Sequence, residues 1–320
     1  MIEPVKISVV IPALNEEAHI GACLVQLCLQ TLPRELFEVL LVDNGSTDAT
    51  VARAREFQDK LQLRILEVPR CTISELRNTG AATAAASVLA FLDADCMAEP
   101  DWLEQALAHK ADNAIWGAHY RVQRDATWVG RVWFTHQATE QSGPVAFLPG
   151  GCLITTRSVL DSVGGFNPNV HTSEDVDLCT RAKRAGNEVL AYPELAVFHE
   201  GTPRTLRRFY RQNRWHGKHV MRVFLADLPS IRNLPLVLIT FYTFVMSLAT
   251  VIVPFFALPK HPVIALLPLV LLLVLPLLLA AGKAARSHSY ADVPQLTVLY
   301  LTYLLARASA LATIPSRGQR

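Results

Sequence analysis

"VLAFLDADCMAEPDW", Val88 to Trp102, drives an apolar run into two carboxylates, Asp93 and Asp95, separated by a single alanine. Two such groups at the end of a buried segment cannot be buried bare. They are solvated, protonated, or neutralised by a cation. Magnesium and manganese take oxygen ligands and suit the pair, and a metal held there can screen a diphosphate and stabilise it as a leaving group. The competing reading is a capped turn, since Asp is common after strands and Pro100 falls near the first turn of a following helix.

Upstream of this stretch, short β-branched runs alternate with longer helical patterns: "ISVVIP", Glu16 to Gln30, "VLLVD", Ala49 to Asp59, "LRILEV", Ser74 to Ala86, then "VLAFLD". That alternation predicts an α/β fold, a mostly parallel sheet with helices on both faces. Ligands in such sheets sit outside the C-terminal strand ends, where "PALNEE", "DNGSTD" and "DADC" all fall. Three polar strand ends side by side predict one site. Asp48 suits the N-cap of the next helix, whereas Asp43 has no such local duty. Arg77 and Asn78 fall near the start of an alanine-rich helix, where a guanidinium fork and a helix N-terminus suit phosphate; a solvated surface arginine is the alternative.

The chain has 320 residues and a formal net charge of +2, which argues against a nucleic-acid binder. Its six cysteines form no C-x-x-C pair, so neither a zinc site nor a disulfide framework is expected, and a reducing compartment is the simplest reading. The opening "MIEPVKISVVIPALNEE" has too short an apolar run for a signal-peptide core and reads as a first strand.

After Gly201 the character changes. From Thr202 to Ala226 the chain carries Arg204, Arg207, Arg208, Arg211, Arg214, Lys218 and Arg222 with no acid, interleaved with Phe209, Tyr210 and Trp215. Abutting a membrane span, this segment (202–232) reads as an amphipathic interfacial helix on anionic lipids, with a solvated helix as the alternative. Leu234–Leu258 and Pro262–Gly282 are each long and apolar enough to span a bilayer core. A third stretch, 293–314, contains Arg307, and either crosses, packs on the others or lies in the interface. The basic segment and the Lys283–Arg286 stretch outweigh the turn holding Lys260 and His261, so the positive-inside rule places residues 1–201 in the cytoplasm, on a multi-pass protein of the cytoplasmic membrane.

"VVIPALNEE", "LLVDNGSTD", "LRNTGAA", "FLDADC", "LPGGCLITTRSVLDSVGGF", "SEDVDLCTRAKRAG" and "RQNRW" occur in the order and approximate spacing of family 2 glycosyltransferases. The chain resembles a membrane-bound member with a GT-A fold over roughly residues 7–215. The resemblance implies that Pro12, Glu16 and Asp43 hold the nucleoside, and that Arg77 contacts the nucleotide or diphosphate. It implies Asp95 as the direct Mg2+ or Mn2+ ligand, Asp93 beside it and nearer the sugar or ribose, and His199 as a third member of the metal shell, where a structural histidine is the alternative. Glu174 and Asp175 fall on the family's E-D pair, with Asp175 the base that takes the acceptor hydroxyl proton; Asp177, two residues on, is its rival or a helix N-terminal charge. "RQNRW" departs from the family's Q-x-x-R-W, with Arg211 and Arg214 as diphosphate contacts and Trp215 at the acceptor; the interfacial helix accounts for the same residues. Gly150 and Gly151 of "PGG" shape the acceptor cavity.

The function so implied is an inverting, metal-dependent hexosyltransferase of cell-envelope biosynthesis, moving a sugar from a nucleotide-sugar donor, UDP being the family's commonest carrier. The acceptor is expected at the membrane: a polyprenyl phosphate, a lipid-linked oligosaccharide or a glycolipid. A processive polysaccharide synthase subunit, working as an oligomer or with envelope membrane proteins, is the enzymatic alternative. A non-catalytic membrane scaffold is the alternative of another class.

Overall fold

A computed structural model describes residues 4–68, 70–123, 125–136, 142–170, 173–217, 234–257 and 261–311. The elements run β1 (Ile7–Ala13), α1 (Ile20–Cys28), β2 (Phe37–Asp43), α2 (Thr50–Arg55), β3 (Leu63–Glu67), α3 (Ile73–Thr83), β4 (Val88–Leu92), β5 (Cys96–Met97), α4 (Trp102–Ala108), β6 (Ala114–Gly117), α5 (Trp128–Thr135), β7 (Gly143–Pro144), β8 (Cys152–Thr156), α6 (Arg157–Ser162), α7 (Glu174–Arg184), β9 (Glu188–Ala191) and β10 (Phe198–His199). Helices α8 (Leu206–Gly217), α9 (Leu234–Ala257), α10 (Pro262–Ser287) and α11 (Val293–Leu311) follow. The chain divides into two units, Met1–Gln123 with Gln137–Gly201, and Arg124–His136 with Thr202–Arg320.

In the first unit an eight-stranded sheet has the order β3-β2-β1-β4-β8-β6-β9-β7, and β5 pairs with β10 in a small second sheet. Strands β3, β2, β1 and β4 are parallel. Beyond β4 the sheet is mixed, because β8 runs antiparallel to both β4 and β6 while β6 and β9 are parallel. Alternation in the buried strands feeds two cores. Ile7, Val9, Ile11, Val39 and Leu41 pack with Leu24, Leu27, Trp102 and Leu103 on one face, and Val10, Leu40, Val42, Leu89 and Phe91 with Leu76, Ala81, Leu178 and Ala182 on the other. Both faces are covered, as parallel strands require. Helix α3 lies close on the sheet at Gly80, where a Cβ would drive into the Val10 side chain and stand 3.1 Å from Val42 Cγ2. It opens with a capping box: the Thr72 hydroxyl accepts from Glu75 N–H, and the Glu75 carboxylate accepts from Thr72 N–H at 2.7 Å.

The second unit is helical. Helices α8 and α10 flank α11, and α5 joins them through Val129, Val132 and Trp133, which pack with Phe209, Ala280, Ala284, Leu296 and Leu299. His136, after α5, lies 3.0 Å from Asp292 and 2.8 Å from the Ser287 hydroxyl. Among the described residues, α9 and α10 are the helices long and apolar enough to cross a membrane. Buried Thr240 and Thr243 return their hydroxyls to carbonyls one turn back, which keeps them satisfied in an apolar setting. Within α11, Leu296, Leu299 and Leu304 are buried and Arg307 lies over the Tyr303 ring at 4.6 Å. Lys283 and Arg286 fall in the last turns of α10. Lys218, Arg222, Leu258 and Lys260, with 218–232 of the expected interfacial segment and 312–314 of the third stretch, lie outside the described residues.

Candidate active site

The C-terminal ends of β1, β2 and β4 converge in the first unit. Pro12 pairs with Val42, and Ala13 with Asp43. Asp43 is 2 % exposed; its Oδ2 accepts from Gly45 and Ser46 N–H at 3.0 and 2.9 Å, while Oδ1 is buried without a hydrogen-bond partner among the described residues. A buried carboxylate oxygen left over by its own turn is a position for a ligand donor. The turn it faces is held by Asn15, which adopts a left-handed φ of 56° and whose Oδ1 accepts from Thr47 N–H at 2.8 Å. Glu16 lies 2.8 Å from His19 Nδ1, and burial, with repulsion from Asp95 behind it, raises the Glu16 pKa. Asp48 accepts from Thr50 N–H at 3.0 Å at the start of α2, a local structural duty.

Arg77, the fifth residue of α3, is 3 % exposed and engages two acids at once. Its Nη2 donates to Asp93 Oδ1 at 2.9 Å and its Nη1 to Glu174 Oε1 at 2.6 Å, with the guanidinium 5.3 Å from the centre of the Phe166 ring. This geometry ties the first carboxylate of "DAD" to the first of "ED". Tyr120 donates to Asp93 Oδ2 at 3.2 Å and stacks on His199 at 4.5 Å, so it bridges the two halves of the cluster. Neither the Arg77–Glu174 clamp nor Tyr120 is evident in the sequence: Tyr120 follows a four-residue strand in "GAHYRV", which carries no recognisable pattern.

Asp95 Oδ2 lies 3.4 Å from His199 Nε2, across the β5–β10 pair that brings the two segments together. Desolvation raises the Asp95 pKa; His199 opposes the shift and Asp93 adds to it. Among the described residues, Asp95, Cys96 and His199 offer ligand atoms all within 4.8 Å of one another, a spread that one ion bridges at ligand distances of about 2.1 Å. Asp93 is outside this group, committed to Arg77 and Tyr120. The Cys96 thiol, fully buried, has its pKa pushed well above the ordinary thiol range by desolvation, so the oxygen and nitrogen donors are those that suit a hard or borderline ion. A Cβ on Gly201 would stand 2.7 Å from Asp95 Oδ2, so glycine is what leaves this space open. All six cysteines are free.

Asp175, second residue of α7, is held by Gly150 N–H to Oδ2 at 3.0 Å and by Val176 N–H to Oδ1 at 2.8 Å. Desolvation, then the neighbouring Glu174, pushes its pKa up to about 6, against the pull of Arg77. Asp177 is paired within the helix to Arg181 at 2.7 Å. The Pro149–Gly151 turn fits tightly over the cluster: a Cβ on Gly150 would stand 2.6 Å from Arg77 Nη2, and one on Gly151 2.7 Å from the Tyr120 hydroxyl and against the Asp93 carboxylate. The turn therefore joins Asp175 to the Asp93–Arg77–Glu174 chain. Arg211, Arg214 and Trp215 belong to α8 of the second unit, where Arg211 and Trp215 are exposed and Arg214 is half-buried.

Two family models match the chain: glycosyl transferase family 2 over residues 8–164 and glycosyl transferase family group 2 over residues 88–282. Glycosyltransferase AglE of Haloferax volcanii is 29 % identical over 238 residues, covering 71 % of this chain and 77 % of its own. The pre-mycofactocin glycosyltransferase of Mycobacterium tuberculosis is 28 % identical over 208 residues, and there the match spans only 42 % of the relative's length. In fold the chain is similar to the mannosyltransferase PcManGT of Pyrobaculum calidifontis, solved with GDP-Man and Mn2+, with a TM-score of 0.61, 21 % identity and coverage of 96 % of this chain and 88 % of that one. The S. aureus TarS 1-349 structure gives a TM-score of 0.51 at 17 % identity, over 96 % and 90 % of the two chains. With the mixed sheet, the acidic strand ends and a family model over more than half its length, the chain belongs to the family 2 glycosyltransferases, as an enzyme of GT-A fold.

Proposed function

We propose that the chain transfers a sugar from a nucleotide-sugar donor to a membrane-associated acceptor, with inversion at the anomeric carbon and Asp175 as the base. One observation carries this reading: a buried carboxylate with its pKa raised into the working range is fixed, through the Gly150 turn, against an Arg77 clamp that also holds Asp93. In the proposed step the acceptor hydroxyl gives its proton to Asp175 as its oxygen forms a bond to the anomeric carbon. The bond from that carbon to the diphosphate oxygen breaks on the opposite face, and the nucleoside diphosphate leaves with the electron pair. Asp43, with its spare Oδ1, accepts from the nucleoside, beside Pro12 and Glu16. Arg77, paired through Nη1 and Nη2 with two acids, acts by fixing Glu174 and Asp93 in place. Asp95 and His199 are the residues that would hold Mn2+ or Mg2+, which would screen the diphosphate and stabilise it as a leaving group.

Helices α9 and α10 support placing the enzyme in a membrane. The basic residues of α8 and those ending α10 support a cytoplasmic catalytic unit. A lipid-borne acceptor follows from that placement. PcManGT and TarS were solved with GDP-Man and UDP-GlcNAc respectively, so guanosine and uridine donors both belong in the test. The purified full chain, in detergent with Mn2+ or Mg2+ and total membrane lipid extract, is expected to release nucleoside diphosphate from one donor of a panel. Release should depend on the lipid and fall by about 10²-fold or more in Asp175→Asn. A panel without any turnover overturns the proposal, and so does turnover that Asp175→Asn retains in full.

A further inference from the structure

Tyr120 touches both halves of the acidic cluster, and its own segment leaves it little freedom. Gly117 ends β6 so close to β8 that a Cβ there would meet the Cys152 carbonyl oxygen. On the far side, Arg121 N–H donates to the Val197 carbonyl at 2.8 Å and its Nη2 to the Pro193 carbonyl at 3.0 Å, and Arg121 pairs in parallel register with Phe198. Tyr120 is thereby laid beside His199, with ring centroids 4.5 Å apart and planes 28° from parallel. Its hydroxyl reaches the other way and donates to Asp93 Oδ2 at 3.2 Å.

The two partners need different things from it. His199 stands on β10, a strand of two residues whose pairing with β5 fixes the backbone but not the rotation of the imidazole. The Tyr120 ring restrains that rotation, and Gly201 lies close enough that a Cβ there would meet His199 Cε1. So held, the ring presents Nε2 to Asp95 Oδ2 at 3.4 Å. Asp93 is fixed through both oxygens, Oδ1 by Arg77 Nη2 at 2.9 Å and Oδ2 by the Tyr120 hydroxyl. Desolvation, then the charge of Asp93, raises the phenol pKa well above its ordinary value, so the group stays a neutral donor. Ring and hydroxyl therefore serve separate residues, and phenylalanine would supply only the first service.

We propose that Tyr120 is a positioning residue that divides the work of the "DAD" pair: its ring orients His199 toward an ion shared with Asp95, while its hydroxyl keeps Asp93 out of the metal shell and set for the donor. Residues that orient a metal ligand from behind change affinity or activity by about 10- to 100-fold. The inference rests on the assignment of Asp95 and His199 to the metal made under the proposed function.

The full chain in detergent is titrated with Mn2+ alone, free ion being read by electron paramagnetic resonance. Asp95→Ala tests the underlying assignment: Mn2+ affinity equal to wild type would remove it, and this inference with it. Where Asp95→Ala loses the ion, Tyr120→Leu is expected to bind Mn2+ about tenfold or more weaker, and Tyr120→Phe within twofold of wild type. Turnover of the donor found in the panel should split differently, with Tyr120→Phe losing about tenfold in kcat/KM, the scale of a hydrogen bond to a charged group, although its ion is in place. A role in packing alone would instead move both readouts together with the melting temperature. Wild-type Mn2+ affinity in Tyr120→Leu overturns the role of the ring, and wild-type kcat/KM in Tyr120→Phe overturns that of the hydroxyl. A tenfold loss of Mn2+ affinity in Tyr120→Phe overturns the division between them. Because Tyr120→Phe removes a single oxygen, its two readouts decide the matter even where Tyr120→Leu folds poorly.

Discussion

A carboxylate that takes a proton near neutral pH needs burial to raise its pKa and enough hydrogen bonds to survive as an anion. Asp175 has both, and the two demands predict opposite changes in activity and stability. Asp175→Asn should lower turnover by about 10²-fold or more, the usual scale of lost general-base catalysis, while donor binding by calorimetry stays near wild type. Because the proposed base would work as the anion, kcat/KM of the wild type should fall as pH drops through about 6. The sign for stability is the reverse of the ordinary acid case. Since the folded pKa is raised above 3.8, the folded state binds the extra proton between the two values, and stability declines as pH rises across that window. Urea titrations should show Asp175→Asn gaining on wild type above the folded pKa, and not below the unfolded one. Of these residues, "DAD" stands out in the sequence itself as paired carboxylates after an apolar strand, whereas Asp175 is singled out only by the resemblance of "ED" to the family's motif. Tyr120 and the Arg77 clamp were not legible there, since a contact such as Arg77 to Glu174, 97 positions apart, leaves no local pattern.

At the scale of elements, α3 decides whether Arg77 reaches its two acids. Its start is fixed by the Thr72–Glu75 capping box and its distance from the sheet by Gly80. Gly80→Ala adds a methyl group where Val10 already stands, and the helix interior would otherwise favour alanine by up to about 1 kcal/mol. Overpacking wins, at a typical cost of about 1–3 kcal/mol. The variant should therefore melt lower than wild type, and lose activity as Arg77 is pushed off Asp93; a melting temperature at or above wild type would show that the sheet yields at no cost. The helix was expected over Ser74–Ala86 and runs over Ile73–Thr83, but the expected start suggested an open phosphate site at Arg77. The structure instead caps that helix end with its own Thr72 and sets Arg77 a full turn inside. Strands β1 to β4 follow the expected alternation. The mixed half of the sheet was less legible, because β6, β7 and β9 have four, two and four residues, too short for periodicity to identify.

The whole molecule departs from a linear division at one segment, which suggests a last test. Composition changes sharply at Gly201, so cutting the chain there looks as if it would release a self-sufficient catalytic domain. Yet residues 124–136 belong to the second unit, and α5 buries Val129 at 2 % and Val132 at 4 % exposure against Phe209, Ala284 and Leu296. A fragment 1–201 keeps α5 and loses Phe209, Ala280, Ala284, Leu296 and Leu299, which pack with it, along with the Ser287 and Asp292 partners of His136. Burying a side chain of valine size contributes about 1.5–3 kcal/mol, so exposing Trp128, Val129, Val132 and Trp133 together leaves an apolar patch that drives association. Fragment 1–201 should therefore elute as aggregates in size-exclusion chromatography without detergent. The same fragment with residues 125–136 replaced by a Gly-Ser linker of equal length should run as a monomer. Because that segment contains none of Asp43, Arg77, Asp93, Asp95, Asp175 or His199, the linker fragment should still bind nucleotide. Equal aggregation of the two fragments would place the fault inside the first unit itself, and a soluble, monomeric unmodified fragment would show that α5 needs no partner.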